Sequence, residues 1–153
     1  MSINIKKGDL LEAFDNNELH AITHCCNCYC VMGGGIAYQI KNRFPEAFIA
    51  DCKYLLTGDQ RKLGTFSLAV NKHGTIYNMY GQHHYDSKKI QVDYVAVENG
   101  LIAIKNDMER KHLSKLGMPW IGCGLAGGDK KEIKRIIDKV FFESKIEVTI
   151  FEL

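Results

Sequence analysis

The residues with the clearest chemical content lie between His24 and Phe44, in the run HCCNCYCVMGGGIAYQIKNRF. Three consecutive glycines, Gly33, Gly34 and Gly35, stand between a strand-like segment ending at His24 and a helical stripe of Ile36, Ala37, Ile40 and Phe44. A glycine run there leaves backbone N–H groups uncovered by side chains. The helix start adds unpaired donors and the positive end of its dipole, a combination suited to phosphate. A second loop has the same logic: Gly122, Gly124, Gly127 and Gly128 separate a short apolar run from another helix. Two such loops suit a ligand with two phosphates.

Two ionisable groups flank these loops. His24, with an ordinary pKa near neutrality, suits proton transfer to or from water or a leaving oxygen; the alternative is a ring that only hydrogen-bonds backbone and shapes the loop. Asp129 suits orientation of water. With Glu132 three residues on, it also has the spacing of a helix capping box. His83, His84 and Tyr85 read as a solvated loop, with Tyr80 or Tyr85 lining the site, while Trp120 and Met118 read as core. Of six cysteines, Cys25, Cys26, Cys28 and Cys30 fall within six residues, but Cys52 and Cys123 are isolated. That spacing lacks the paired knuckles of a zinc site, and without a secretory signal it is no argument for disulfides. Small packed thiols are expected, and no metal or cofactor.

The elements that position these groups alternate. Strands are expected around Ile3 and Ile5, over 19–24, 64–70, 75–80 and 145–152, and briefly over 118–122. Helical segments are expected over 10–14, from Ile36 to Phe44, from Pro45 to about Leu56, from Asp93 to about Leu113, and over 130–144. The last is the clearest, since Ile133, Ile136, Ile137, Val140 and Phe141 keep helical spacing. The segment 81–91 reads as a loop. This alternation implies an α/β fold with a mixed, largely parallel sheet covered by helices on both faces, and a ligand outside the carboxyl ends of the strands.

The 153 residues suit one domain, 1–153. Apolar content of 46%, charged content of 25% and a net charge of +2 are those of an ordinary soluble protein. They do not point to a nucleic-acid partner. No run is long enough to span a membrane and no signal-peptide core is present, so a cytosolic protein is expected, monomeric by default.

Taken together, the motifs resemble a macro domain. The likeness rests on Gly8-Asp9-Leu10, on Asn27 six residues before the glycine run, on the GGG-hydrophobic-Ala loop Gly33 to Ala37, and on the late glycine loop. It covers nearly the whole chain and implies a three-layer α/β/α fold. The run from His24 to Ala47 is similar to the branch that removes phosphate from ADP-ribose-1″-phosphate. The tail, MPWIGCGLAGG and VTIFEL, resembles the branch that removes ADP-ribose from glutamate side chains.

The resemblance implies that Asp9 accepts from the adenine amino group and that Leu10 adds backbone contact. It places Gly33, Gly34, Gly35 and Ile36 around the pyrophosphate, facing Gly122, Cys123, Gly124, Leu125, Ala126 and Gly127. Asn27 lies near the distal ribose, and His24, Asn27 and Asp129 are the catalytic candidates. One departure matters. The glutamate-directed branch uses a Lys and an Asp where this chain has Gln82 and Ala126, which disfavours that chemistry. The expected activity is hydrolysis of ADP-ribose-1″-phosphate to ADP-ribose and phosphate. The alternatives are a reader of free or protein-attached ADP-ribose without turnover, and a hydrolase for another adduct of the distal ribose, such as an acetyl ester or an ADP-ribosyl link to protein. A thiol-based metal or redox role for the cysteine cluster ranks below these.

Overall fold

The computed structural model describes residues 2–85, 91–124 and 126–153. Its elements in chain order are β1 (Ser2–Lys7), α1 (Leu10–Asp15), β2 (Ala21–Cys26), α2 (Gly35–Arg43), α3 (Pro45–Lys53), a 3-10 turn (Gln60–Lys62), β3 (Phe66–Asn71), β4 (Gly74–Tyr80), α4 (Tyr94–Arg110), β5 (Lys115–Met118), α5 (Lys130–Phe141) and β6 (Glu147–Glu152). The strands form one sheet in the order β1-β6-β5-β2-β4-β3. Every pairing is parallel except β3 with β4, which the tight turn at Lys72-His73 makes antiparallel.

Alternation along the strands sorts two cores. On one face Ala21, Tyr77, Met79, Leu116, Met118, Val148 and Ile150 pack against the apolar stripes of α4 and α5. On the other, Ile22, Ile76, Ala69 and Phe151 pack against α1, α2 and α3. The expected three-layer α/β/α arrangement with a mixed, largely parallel sheet is the observed one.

The brief strand lies earlier than its apolar run suggests, over Lys115–Met118 and not 118–122. Pro119 has no amide to continue a ladder, and Gly122 turns away at φ +72°. Residues 115–118 contain Lys and Gly, yet β2 and β6 pair with them from both sides. Sheet context overrides propensity there. The helix from Pro45 ends at Lys53, short of Leu56, because Leu55 has a left-handed φ of +54°. The loop expected over 81–91 falls partly outside the described residues.

The cysteines need a correction. Cys30 and Cys52 form a disulfide, with Cα atoms 5.2 Å apart and a sequence separation of 22. Folding brings the loop after β2 against the end of α3, a proximity no spacing rule reveals. Cys26 and Cys28 are buried thiols, and Cys25 and Cys123 are partly buried ones.

Beneath α3, a row of polar side chains crosses the sheet in register. His24 on β2 pairs with Asn78 on β4, which pairs with Ser67 on β3. The His24 Nε2 lies 2.7 Å from the Asn78 Oδ1, and the Asn78 amide donates to the Ala47 carbonyl of α3 at 2.9 Å and to the Ser67 Oγ at 3.1 Å. Ser67 and Tyr80 hydroxyls meet at 2.7 Å, and the Tyr80 Oη donates to the Asp51 Oδ1 of α3 at 2.7 Å. Burial raises the Asp51 carboxyl above its ordinary value, opposed by the Tyr80 hydrogen bond and the nearby charge of buried Lys62. In such a chain each group depends on the next, because a buried polar atom that loses its partner keeps its desolvation cost. Tyr80→Phe removes the donor to Asp51, and we expect a destabilisation of about 1–3 kcal/mol in urea unfolding; an unchanged midpoint would show that the carboxylate does not rely on that hydroxyl.

Candidate functional site

The loop after β2 runs from Asn27 to Gly34 and is held by its own side chains. The Asn27 Oδ1 accepts from the Tyr29 amide at 2.8 Å and the Val31 amide at 3.4 Å, while its Nδ2 donates to the Val31 carbonyl at 2.8 Å. Among the described residues the Nδ2 makes this one bond, and Asn27 lines the larger of two clefts at this end of the sheet.

The helix that leaves this loop starts unlike the others. α1, α4 and α5 begin on the side chains of Asp9, Asp93 and Asp129, each accepting an amide of its own first turn. α3 begins with Pro45, which lacks one of those amides. α2 is capped by Gly34, extended and with no side chain to offer. Its first amides, from Gly35, Ile36 and Ala37, therefore have no acceptor within the helix. All three residues line the cleft. Gly35 has φ +57°, and a Cβ built there would meet nothing within 4 Å, so the space before the helix is open.

The second loop approaches from β5. The Gly128 amide donates to the Gly122 carbonyl at 2.7 Å, and a Cβ on Gly128 would sit 2.4 Å from that oxygen. The loop is thus closed backbone to backbone, which only glycine permits. Gly122 and Ala126 face the first loop across the cleft. Cys123 faces a second cleft. Gly124 and Gly127 make the outer turn, the Gly127 amide donating to the Gly124 carbonyl at 3.1 Å, and line neither. Leu125 lies outside the described residues.

The two clefts adjoin. The larger, about 500 Å³, is lined by Cys25, Asn27, Val31 and the Gly33–Ala37 turn, together with Gln82, Tyr85, Ile121, Gly122 and Ala126. The smaller, about 460 Å³, contains Asp9, Leu10, Gln39, Lys130, Phe151 and Glu152. Gly35, Ile36, Pro119 and Trp120 line both and form a waist. These residues lie at or just beyond the carboxyl ends of the parallel strands, where a ligand is expected in such sheets. Asp9 uses one oxygen, Oδ1, to accept from the Leu11 and Glu12 amides at 2.9 and 3.2 Å. Its capping role thus leaves the other oxygen for a ligand donor.

Several expectations are overturned. His24 is 0% exposed and lines neither cleft. Strand alternation sends it with Ile22 and Cys26 toward α3, while Cys25 faces the cleft. Because its Nε2 faces an amide oxygen, it donates there, and the Cys26 Sγ lies 3.6 Å from its Nδ1 and 3.5 Å from its Nε2. Burial lowers its pKa to about 4, against the Asn78 hydrogen bond. A neutral, enclosed ring cannot exchange protons with a ligand, so His24 is a structural residue.

Asp129 lines neither cleft and caps α5, its Oδ1 accepting from the Lys131 amide at 2.9 Å. The cap uses one carboxylate oxygen, as at Asp9, but the residue stands away from both clefts. The capping box is only half made, because Glu132 pairs with Arg135 and the Asp129 amide donates to the Tyr94 hydroxyl at 3.0 Å. Trp120 is also more than core. Tyr80 is buried in the polar row, whereas Tyr85 lines the larger cleft.

Gln82 and Ala126, the places of the missing Lys and Asp, both line the larger cleft. The described lining there holds no carboxylate, lysine or histidine. Its thiol, Cys25, is pushed up to about 12 by burial, which removes it as a nucleophile at neutral pH. Among the described residues no group of three or more His, Cys, Asp or Glu is arranged to hold a metal ion.

Residues 23–137 match the model of the macro domain. The chain belongs to the macro domain family. This macro domain is 28% identical to the ADP-ribose glycohydrolase OARD1 of Bos taurus, over 99% of its own length and 91% of that protein. It is 25% identical to the ADP-ribose 1″-phosphate phosphatase of Saccharomyces cerevisiae (strain YJM789), over 99% of each chain. The macrodomain of Mycobacterium tuberculosis DarG shares the fold, with a TM-score of 0.81 at 24% identity over 99% of this chain and 97% of that one.

The buried histidine carries a pH dependence for this macro domain. A folded pKa near 4 against an ordinary 6.5 means that the unfolded chain takes up the proton first. The stability from the neutral ring is therefore complete above pH ~6.5 and falls as the pH drops toward ~4. Melting temperature measured across that window should decline in the wild type and less steeply in His24→Asn; parallel profiles would contradict a buried neutral His24.

Proposed function

We propose that this macro domain binds ADP-ribose across the two clefts and releases phosphate from ADP-ribose-1″-phosphate. The observation that carries the reading is the waist, where the first amides of α2, uncapped by any side chain, belong to residues that line the larger cleft together with Gly122. Backbone donors and the helix dipole there suit the negative charge of a diphosphate. The adenosine arm lies in the smaller cleft with the adenine amino group donating to Asp9, and the distal ribose lies in the larger cleft beside Asn27. Cleft volumes of about 500 and 460 Å³ are those of small-molecule sites.

The chemistry does not run through His24 or Asp129. Water attacks the 1″-phosphorus, the bond from phosphorus to the ribose oxygen breaks, and that oxygen takes a proton. A phosphate monoester with a second pKa of about 6 retains that proton in part of the population at neutral pH. The substrate itself is then the proton donor, and the cleft contributes position and amide dipoles. Slow turnover is the consequence. Removal of ADP-ribose from a protein side chain has less support, because Gln82 and Ala126 occupy the places of the Lys and Asp that such chemistry uses. A second reading, a reader without turnover, draws on the absence of a proton-transfer group in the described lining.

Phosphate release from ADP-ribose-1″-phosphate, with ADP-ribose binding measured by calorimetry, separates these. We expect binding with slow release that survives His24→Asn. Gly35→Val puts a branched side chain at a left-handed φ of +57°, where it strains the start of α2 as well as filling the space before it, and it should weaken ADP-ribose at least about tenfold, or about 1.4 kcal/mol. Binding without release leaves the reader, whereas unaltered binding by Gly35→Val removes the diphosphate from the waist.

A further inference from the structure

We propose that Trp120 is a ligand-contacting residue that selects ligands long enough to occupy both clefts. The inference rests on the proposed function, since it concerns the same waist. Trp120 is the sole tryptophan of the chain. It is partly exposed and lines both clefts, as do Pro119 beside it and Gly35 and Ile36 opposite. A ligand that spans the two clefts passes between these pairs.

The ring is fixed in advance. Its Nε1–H donates to the Glu152 Oε1 at 2.7 Å, and the Lys130 Nζ lies 5.6 Å from a ring centroid. Both partners come from other segments, the end of β6 and the start of α5, and both line the smaller cleft. An indole tethered at its polar edge and attended by a cation offers flat apolar surface with little ordering left to lose on binding. Partial packing of Trp120 against the α4–α5 core supports it from behind. The selected class is therefore two sugar-bearing arms joined by a diphosphate. A mononucleotide fills one cleft and meets the partition from one side only.

The test uses the whole chain, ADP-ribose and AMP. In the wild type, ADP-ribose should change the emission of the single tryptophan and protect it from acrylamide quenching, with the saturation midpoint found by calorimetry. Trp120→Leu should weaken ADP-ribose about tenfold and AMP by about threefold or less, so that the preference for the longer ligand narrows. If that variant does not fold, the wild-type emission and quenching titrations still decide the matter. Calorimetric binding of ADP-ribose with unchanged emission and quenching overturns the role of Trp120 alone. So does a folded Trp120→Leu that keeps the wild-type preference. No calorimetric binding of ADP-ribose by the wild type overturns both this role and the proposed function beneath it.

Discussion

The first turn of α2 has amide donors with no acceptor within the helix, and among the described residues no side chain caps them. Gly34 caps the helix without a side chain, whereas α1, α4 and α5 each start on an aspartate. Backbone donors at the edge of a folded core are costly unless water or a ligand meets them. Here they face an open cleft, so water meets them when the site is empty and an anion can replace it. The rest of the site is arranged about them: a glycine-closed loop opposite, an aspartate beyond one end of the waist and an asparagine beyond the other.

Holding that loop in place is the task of residues that never touch the cleft. His24, Asn78, Ser67, Tyr80 and Asp51 make a continuous hydrogen-bonded path from β2 to α3. α3 is thereby docked on the sheet, and its Cys52 is bonded to Cys30 within the loop that leads to Gly33. A histidine beside a glycine loop is thus part of the framework under the loop and lines neither cleft. The difference is one of strand parity: Cys25, its neighbour, faces the cleft and His24 faces α3.

Much of this was legible in the residues. The i, i+3, i+4 spacing of Ile133, Ile136, Ile137, Val140 and Phe141 gave α5, and the two glycine loops pointed to the end of the sheet where Gly33, Gly34, Gly35 and Gly122 line one cleft. Their position is set because both loops leave strands of a parallel sheet. The rest required long-range pairing. β5 hides in KLGM, four residues that become a strand only between β2 and β6. The Cys30–Cys52 bond depends on how α3 folds back. Asp9 and Asp129 have equally good capping contexts, yet only the first lies at a cleft, and nothing local distinguishes them. Trp120 reads as core because it comes after an apolar strand, and its place at the waist appears only once α2 stands opposite.

In the proposed function an anionic ligand is held by the amides at the start of α2. The most direct measurement is an amide nitrogen–proton NMR titration of the labelled protein with ADP-ribose. With ADP-ribose bound as proposed, Gly35, Ile36 and Ala37 should shift together with Gly122, while the His24 ring resonances stay where they are. Shifts confined to other segments, with the α2 amides unmoved at saturation, would contradict it.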